Sequence, residues 1–199
     1  MVLKRSFGVI ILVVFILGFL AGFEVGFEYY RSNVSQSVNV SSSGAGVYRV
    51  LTDKDYYDTL RWWLDRANKS VHVIMYVIKY DPKQYNDPVN ILLYTLADLK
   101  RRGVDVKIIV DDTTMQSYPE TISFLKNMSI SIKLDESASK TTHAKIVIID
   151  GYIVFIGSHN WTESALTRNH EVSVVIYDQS VGESMIRYFE DIWSKGRSI

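Results

Sequence analysis

The stretch HAKIVIIDGYIVFIGSHN, His143 to Asn160, decides the fold. Ile146 to Ile149 and Tyr152 to Ile156 are apolar runs rich in β-branched residues, separated by Asp150-Gly151. Two such runs joined by Asp-Gly predict a β-hairpin with a tight turn. Residues two apart on a strand share a face, so His143 and Lys145 point the same way, as do Ser158 and Asn160 just beyond the second strand. Gly157 has no Cβ and would let a substrate phosphate or a neighbouring backbone come close. The hairpin can therefore bring one polar pair beside the other.

Outward from the hairpin, strands and helices alternate. Thr59 to Ala67 predicts an amphipathic helix and Val71 to Ile78 an apolar strand. Pro88 to Arg102 carries helical spacing at Ile91, Leu92, Thr95, Leu96 and Leu99, and Gly103 is a normal stop. Val104 to Val110 predicts a strand ending at Asp111-Asp112, Glu120 to Asn127 a helix, and Ile130 to Leu134 a short strand. Val172 to Tyr177 and Ser180 to Lys195 predict a last strand and a last helix. The alternation predicts an α/β fold, a mixed β-sheet flanked by helices.

The string H-x-K-x4-D-x6-G-S-x-N at His143, Lys145, Asp150, Gly157, Ser158 and Asn160 resembles the signature of the phospholipase D superfamily. Asn169-His170-Glu171 resembles the N-x-E element of its small members, and Arg101 to Val106 the helix-to-strand junction of its small endonucleases. The resemblance runs from about Tyr48 to Trp193 and implies the phospholipase D/nuclease-like sandwich. It implies cleavage of phosphodiesters without metal or other cofactor. His143 would be the nucleophile, since covalent catalysis splits one hard displacement into two easier ones. Lys145, Ser158 and Asn160 would hold phosphate oxygens, where preorganised donors act most strongly. Glu171 would orient the imidazole. Asp150 matches the acidic position of the signature, and Asp before Gly is equally what a hairpin turn asks for; both roles stand. A second imidazole is needed as general acid, yet the chain holds a single H-x-K string. Long family members carry two copies and short ones pair two chains, so the resemblance implies a homodimer.

The N-terminus predicts a location. Lys4-Arg5 precedes Phe7 to Phe23, seventeen residues without a charge, and Val25 to Phe27 extend the apolar character past Glu24. About 20 apolar residues span a bilayer, and the apolar core of a signal peptide is shorter, about 7–15. The expectation is a short cytoplasmic stretch at 1–6, a single transmembrane helix at 7–27, a Ser- and Gly-rich flexible linker at 28–46 and a catalytic domain at 47–199. The positive-inside rule places that domain outside the cytoplasm; a cleaved signal would make it secreted.

Charge bears on the substrate. The chain is neutral, with 22 basic and 22 acidic residues. A nucleic-acid binder usually shows a basic footprint, and here only Lys140, Lys145 and Arg168 lie near the motif as candidate substrate contacts. His159 alternates away from Ser158 and Asn160 and is expected to pack or to sit at the substrate rim; His72 and His170 are expected to be structural. With no cysteine there is no disulfide and no thiolate metal site. Two activities fit: an endonuclease on DNA or RNA, and a phospholipase or phosphatidyl-transfer enzyme acting on the anchoring membrane. A silent binding module with this fold is a third possibility that the intact motif argues against.

Overall fold

Eight strands form one mixed sheet in the computed structural model, which describes residues 47–199. In order across the sheet they are β1 (Val47–Thr52), β7 (Val172–Tyr177), β6 (Ile153–Gly157), β5 (Lys145–Ile149), β2 (Ser70–Met75), β3 (Asp105–Val110), β4 (Ser131–Leu134) and β8 (Arg197–Ser198). The β2–β3 and β3–β4 pairs are parallel and all others antiparallel. The central strands β2, β3 and β5 are nearly continuous apolar runs because both faces are covered.

On one face lie α1 (Asp55–Leu64), α2 (Pro88–Arg101) and α4 (Pro119–Asn127), packed on Val71, Val73, Met75, Val106, Ile108, Val147, Ile149 and Phe155. The strand alternation sends Ile74, Ile109, Ile146, Ile148 and Val154 to the other face, where Phe189 of α6 (Gln179–Lys195) closes a second core. Each such side chain, fully buried, contributes about 1.5–3 kcal/mol. Local signals set the helix ends. Asp87 accepts from the Val89 N–H at 2.7 Å, Pro88 opens α2, and Gly103 at φ 92° follows it. Asp178 caps α6 through the Val181 N–H at 3.0 Å.

Most predicted elements form within a few residues of their expected limits. Four elements lie outside the prediction: β1, β8, α3 (Asp112–Ser117) and α5 (Glu163–Thr167). The predicted strand to Ile78 stops at Met75, and residues 76–80 run on as a stitched loop. Thr114 Oγ1 donates to Tyr76 O and accepts from Ile78 N–H, while Thr121 Oγ1 donates to Ile78 O and accepts from Tyr80 N–H.

The hairpin forms as expected. Asp150 (φ 55°) and Gly151 (φ 68°) are both left-handed, and Tyr152 N–H donates to Ile149 O at 3.1 Å. The predicted transmembrane helix at 7–27 and linker at 28–46 lie outside the described residues. Among the described residues no helix is long and apolar enough to cross a membrane.

Candidate active site

Strand direction gathers the motif at one end of the sheet. Because β5 is antiparallel to β2 and β6, and β7 to β6 and β1, the start of β5 lies beside the ends of β2, β6 and β1 and the start of β7. His143 and Lys145 come from the first of these, Ser158 and Asn160 from just past β6, and Glu171 from just before β7.

Lys145 is the buried cation of the cluster, 7% exposed. Its Nζ donates to His143 O at 2.7 Å, stands 3.2 Å from each ring nitrogen of His143, and lies 5.0 Å over the Tyr76 ring. Burial holds its ammonium below the usual lysine value, against the opposing field of Glu171. His143 is exposed, with its ring 4.6 Å from that of Tyr76. The loop before it is tied down by Asp111. That carboxylate accepts from Thr113 N–H and, at 2.9 Å, from Thr142 N–H. Asp111, just past the end of β3, thus positions the residue preceding the imidazole.

Gly157 is required by a neighbouring backbone. A Cβ there would meet Ser173 Cα at 2.4 Å and Val172 O at 2.5 Å. Ser158, one residue on, donates through Oγ to Glu171 Oε2 and accepts from Val172 N–H at 3.1 Å. Asn169 Nδ2 donates to Glu171 Oε1 at 3.2 Å. Glu171 is therefore engaged with Ser158 and Asn169 and is not hydrogen-bonded to His143. Asn160 follows, its Oδ1 buried with no partner among the described residues. Buried polar atoms are nearly always paired, and this amide oxygen stands out as an acceptor with no donor among the described residues.

Asp150 is not brought to this cluster. It sits at the opposite end of β5, five residues or about 16 Å from Lys145. Its Oδ1 accepts from Lys69 N–H at 2.8 Å and Ser70 N–H at 3.0 Å, and Oδ2 from Asn68 N–H at 3.2 Å. The acidic position of the motif thus pins the hairpin turn to the start of β2, the structural one of its two expected roles. Lys140 pairs with Glu136 and Arg168 with Glu163, all near the surface. Such pairs are worth about 0–1 kcal/mol.

A cavity of about 140 Å³ adjoins His143, walled by Glu136, Lys140, Thr142, Tyr188, Asp191 and Lys195 among others. Of the other histidines, His159 is fully buried, His72 stacks on Phe189, and His170 is exposed. Among the described residues no group of three or more His, Cys, Asp or Glu side chains is arranged to hold a metal ion.

A family model described as "Cardiolipin synthase, PLD-like domain" matches residues 60–193. The chain is 28% identical over 131 residues to a mitochondrial cardiolipin hydrolase of Chlamydomonas reinhardtii, covering 66% of this chain and 54% of that protein. It is 25% identical over 189 residues to a phospholipase D of Rickettsia prowazekii, 92% of each chain. The chain spans about half the length of the cardiolipin hydrolases it matches. Among solved structures it is similar to the phospholipase D family member Nuc from Salmonella typhimurium. The TM-score is 0.65 at 26% identity, over 76% of this chain and 97% of Nuc. NucT from Helicobacter pylori, at 19% identity and a TM-score of 0.63, shares the fold.

Proposed function

The chain belongs to the phospholipase D superfamily and is a phosphodiesterase of that kind; from that premise we propose that it is a metal-independent endonuclease of DNA or RNA whose site is shared between two copies. The observation that carries this reading is the extent of the fold. The described domain corresponds to 97% of Nuc and holds one H-x-K string. The cavity against His143 is small, with charged, hydroxyl-bearing and apolar side chains among its walls.

In the reaction, a ring nitrogen of His143 attacks phosphorus as the bond to the leaving oxygen breaks, and that oxygen takes a proton from His143 of the second copy. Lys145 and Asn160 hold the non-bridging oxygens where negative charge concentrates. Water, deprotonated by the second imidazole, then displaces His143 from the phosphohistidine and restores both rings. Glu171 and Ser158, hydrogen-bonded to each other, form the polar wall of the site. Lys140 and Arg168 supply local contacts to flanking phosphates on a domain with 19 basic and 20 acidic residues once Lys4, Arg5, Arg31, Glu24 and Glu28 are set aside.

A second reading, a phospholipase D-type hydrolase or transphosphatidylase, is favoured by the names of its relatives, which include cardiolipin hydrolases and a phospholipase D. The proposed membrane anchor at 7–27, with the domain outside the cytoplasm, suits both. One experiment separates them. The full chain and its His143→Ala variant are incubated in EDTA with single-stranded DNA, double-stranded DNA, RNA and phospholipid vesicles. Cleaved nucleic acid from the wild type alone supports the endonuclease. Intact nucleic acid with released phosphatidic acid or headgroup replaces it with lipid chemistry, and a wild type silenced by EDTA ends the metal-free scheme.

A further inference from the structure

His159 stands between two proposed phosphate-binding residues, yet faces away from them into the core. It is 0% exposed, and its ring stacks on Tyr56 with centroids 4.3 Å apart and planes 8° from parallel. Nε2 lies 2.9 Å from Asp53 O, an acceptor only, so this nitrogen carries the proton. Nδ1 then accepts from Ser173 Oγ at 2.7 Å. Both ring nitrogens are thus satisfied in a single tautomer.

The partners matter more than the count. Ser173 belongs to β7, directly opposite Gly157 in the register. Asp53, in the left-handed region at φ 50°, closes β1 and exchanges two further hydrogen bonds with Glu171. Asp53 N–H donates to Glu171 O at 2.9 Å, and Glu171 N–H donates to Asp53 Oδ1 at 3.0 Å. One imidazole therefore joins the Ser158-Asn160 loop, the strand that follows Glu171, and the turn that clamps Glu171.

We propose that His159 is a positioning residue for the reaction, fixing Ser158 and Asn160 directly and Glu171 through Asp53. A packing role alone would ask only for a flat ring against Tyr56. The two directed hydrogen bonds ask for more: they set the height of the loop over β7 and the direction of Asp53 O. Residues held in this way keep catalytic donors within the few tenths of an ångström that oriented catalysis requires. The inference rests on the site reading given above for Ser158, Asn160 and Glu171.

The test uses the full chain and bis(p-nitrophenyl) phosphate, a phosphodiester that does not presuppose nucleic acid or lipid. His159→Phe keeps the stacked ring and loses both hydrogen bonds; His159→Gln keeps an N–H able to reach Asp53 O. The expected result is a fall in kcat of tenfold or more for the Phe variant with KM within about twofold, and recovery of most of that loss in Gln. The double variant His159→Phe/Glu171→Gln should be no slower than the slower single variant, because both disturb one unit. Should the Phe variant not fold, Ser173→Ala takes its place, with the same kcat loss expected. Full activity in the folded Phe variant, independent losses in the double variant, or a Gln variant no better than Phe would overturn the proposal. If Glu171→Gln alone leaves kcat unchanged, it is the underlying site reading that fails.

Discussion

Lys145 shows what a single buried charge does to the chemistry. Burial depresses its pKa, so the free enzyme should lose its ammonium below the lysine value of 10.5. A bound phosphate restores a counter-charge and favours the ammonium. The alkaline limb of kcat/KM, which reports the free enzyme, is therefore expected below 10.5, and that of kcat higher. Lys145→Arg should move the first limb out of range; coincident limbs in the wild type would assign the loss to another group. The buried histidines give a stability counterpart. Burial lowers the pKa of His159, against Asp53 and Glu171, and of His72, against Asp105 and Glu190 and with Lys107. Below about pH 6.5 the unfolded chain takes up protons that these folded rings refuse, so stability falls as pH drops through and below that value. Urea midpoints at pH 7.5 and 5.5 check this: a drop is expected already at 5.5, before most carboxylates titrate. At this scale the sequence made the cluster of His143, Lys145, Ser158 and Asn160 legible, because each stands in a spaced string. It could not separate the two roles of Asp150, nor tell that Glu171 turns to Ser158 and Asn169. Those outcomes depend on which backbone amides the fold brings near, and β2 is some 80 residues from the turn that Asp150 holds.

The hairpin of β5 and β6 is the element on which the site is built, and Asp150 is its fastening. Removing the carboxylate leaves the N–H groups of Asn68, Lys69 and Ser70 without their acceptor. Charged hydrogen bonds are worth about 1.5–3 kcal/mol, and a β-carbon without a polar head adds about 1 kcal/mol of strain at φ 55°. Asp150→Ala is expected to lose about 2–4 kcal/mol by urea unfolding. Asp150→Gly, free of strain, should lose only the first part. Both should keep the kcat of wild type below their unfolding transitions, because the motif lies at the other end of the strand; a large kcat loss in the folded Gly variant would return Asp150 to catalysis. The hairpin, β7, α2 and α6 were legible because each carries its own period and punctuation. By contrast β1 reads VYRVLT, without polar-apolar alternation, since its outward face is apolar too. The helix α3 reads DTTMQS and has no apolar stripe; it exists because Asp111 caps it and Thr114 hooks it to Tyr76 O. The two-residue β8 forms only where Arg197 reaches Asp112 at 2.5 Å and Asp135 O at 3.0 Å.

At the scale of the whole molecule, the second core is smaller than the sheet it serves. Helix α6 covers Ile74, Ile109, Ile146, Ile148 and Val154, and among the described residues no element covers the same face of β1 and β7. There Tyr48 (53%), Val50 (54%), Val172 (55%) and Ile156 (40%) are exposed. They are neighbours across the strands, since Val50 and Ile156 both pair with Val174, and Tyr48 pairs with Ile176. Large contiguous apolar patches on soluble monomers usually mark an interaction surface. This one ends at the site, with Ile156 next to Gly157 and Val172 next to Glu171. The proposed two-imidazole scheme needs a second copy, and this face is the docking surface we propose for it. Val50→Lys/Val172→Lys places two charges on the bare face while leaving both cores intact. Sedimentation should show the wild-type full chain in detergent as a dimer and this variant as a monomer with an unchanged near-UV circular dichroism spectrum. Its turnover should fall to the level of His143→Ala, since a lone imidazole cannot both attack and protonate. A fully active monomer would remove the shared site and the two-histidine scheme together. A variant that stays dimeric and active would place the second copy on another face and leave the chemistry standing.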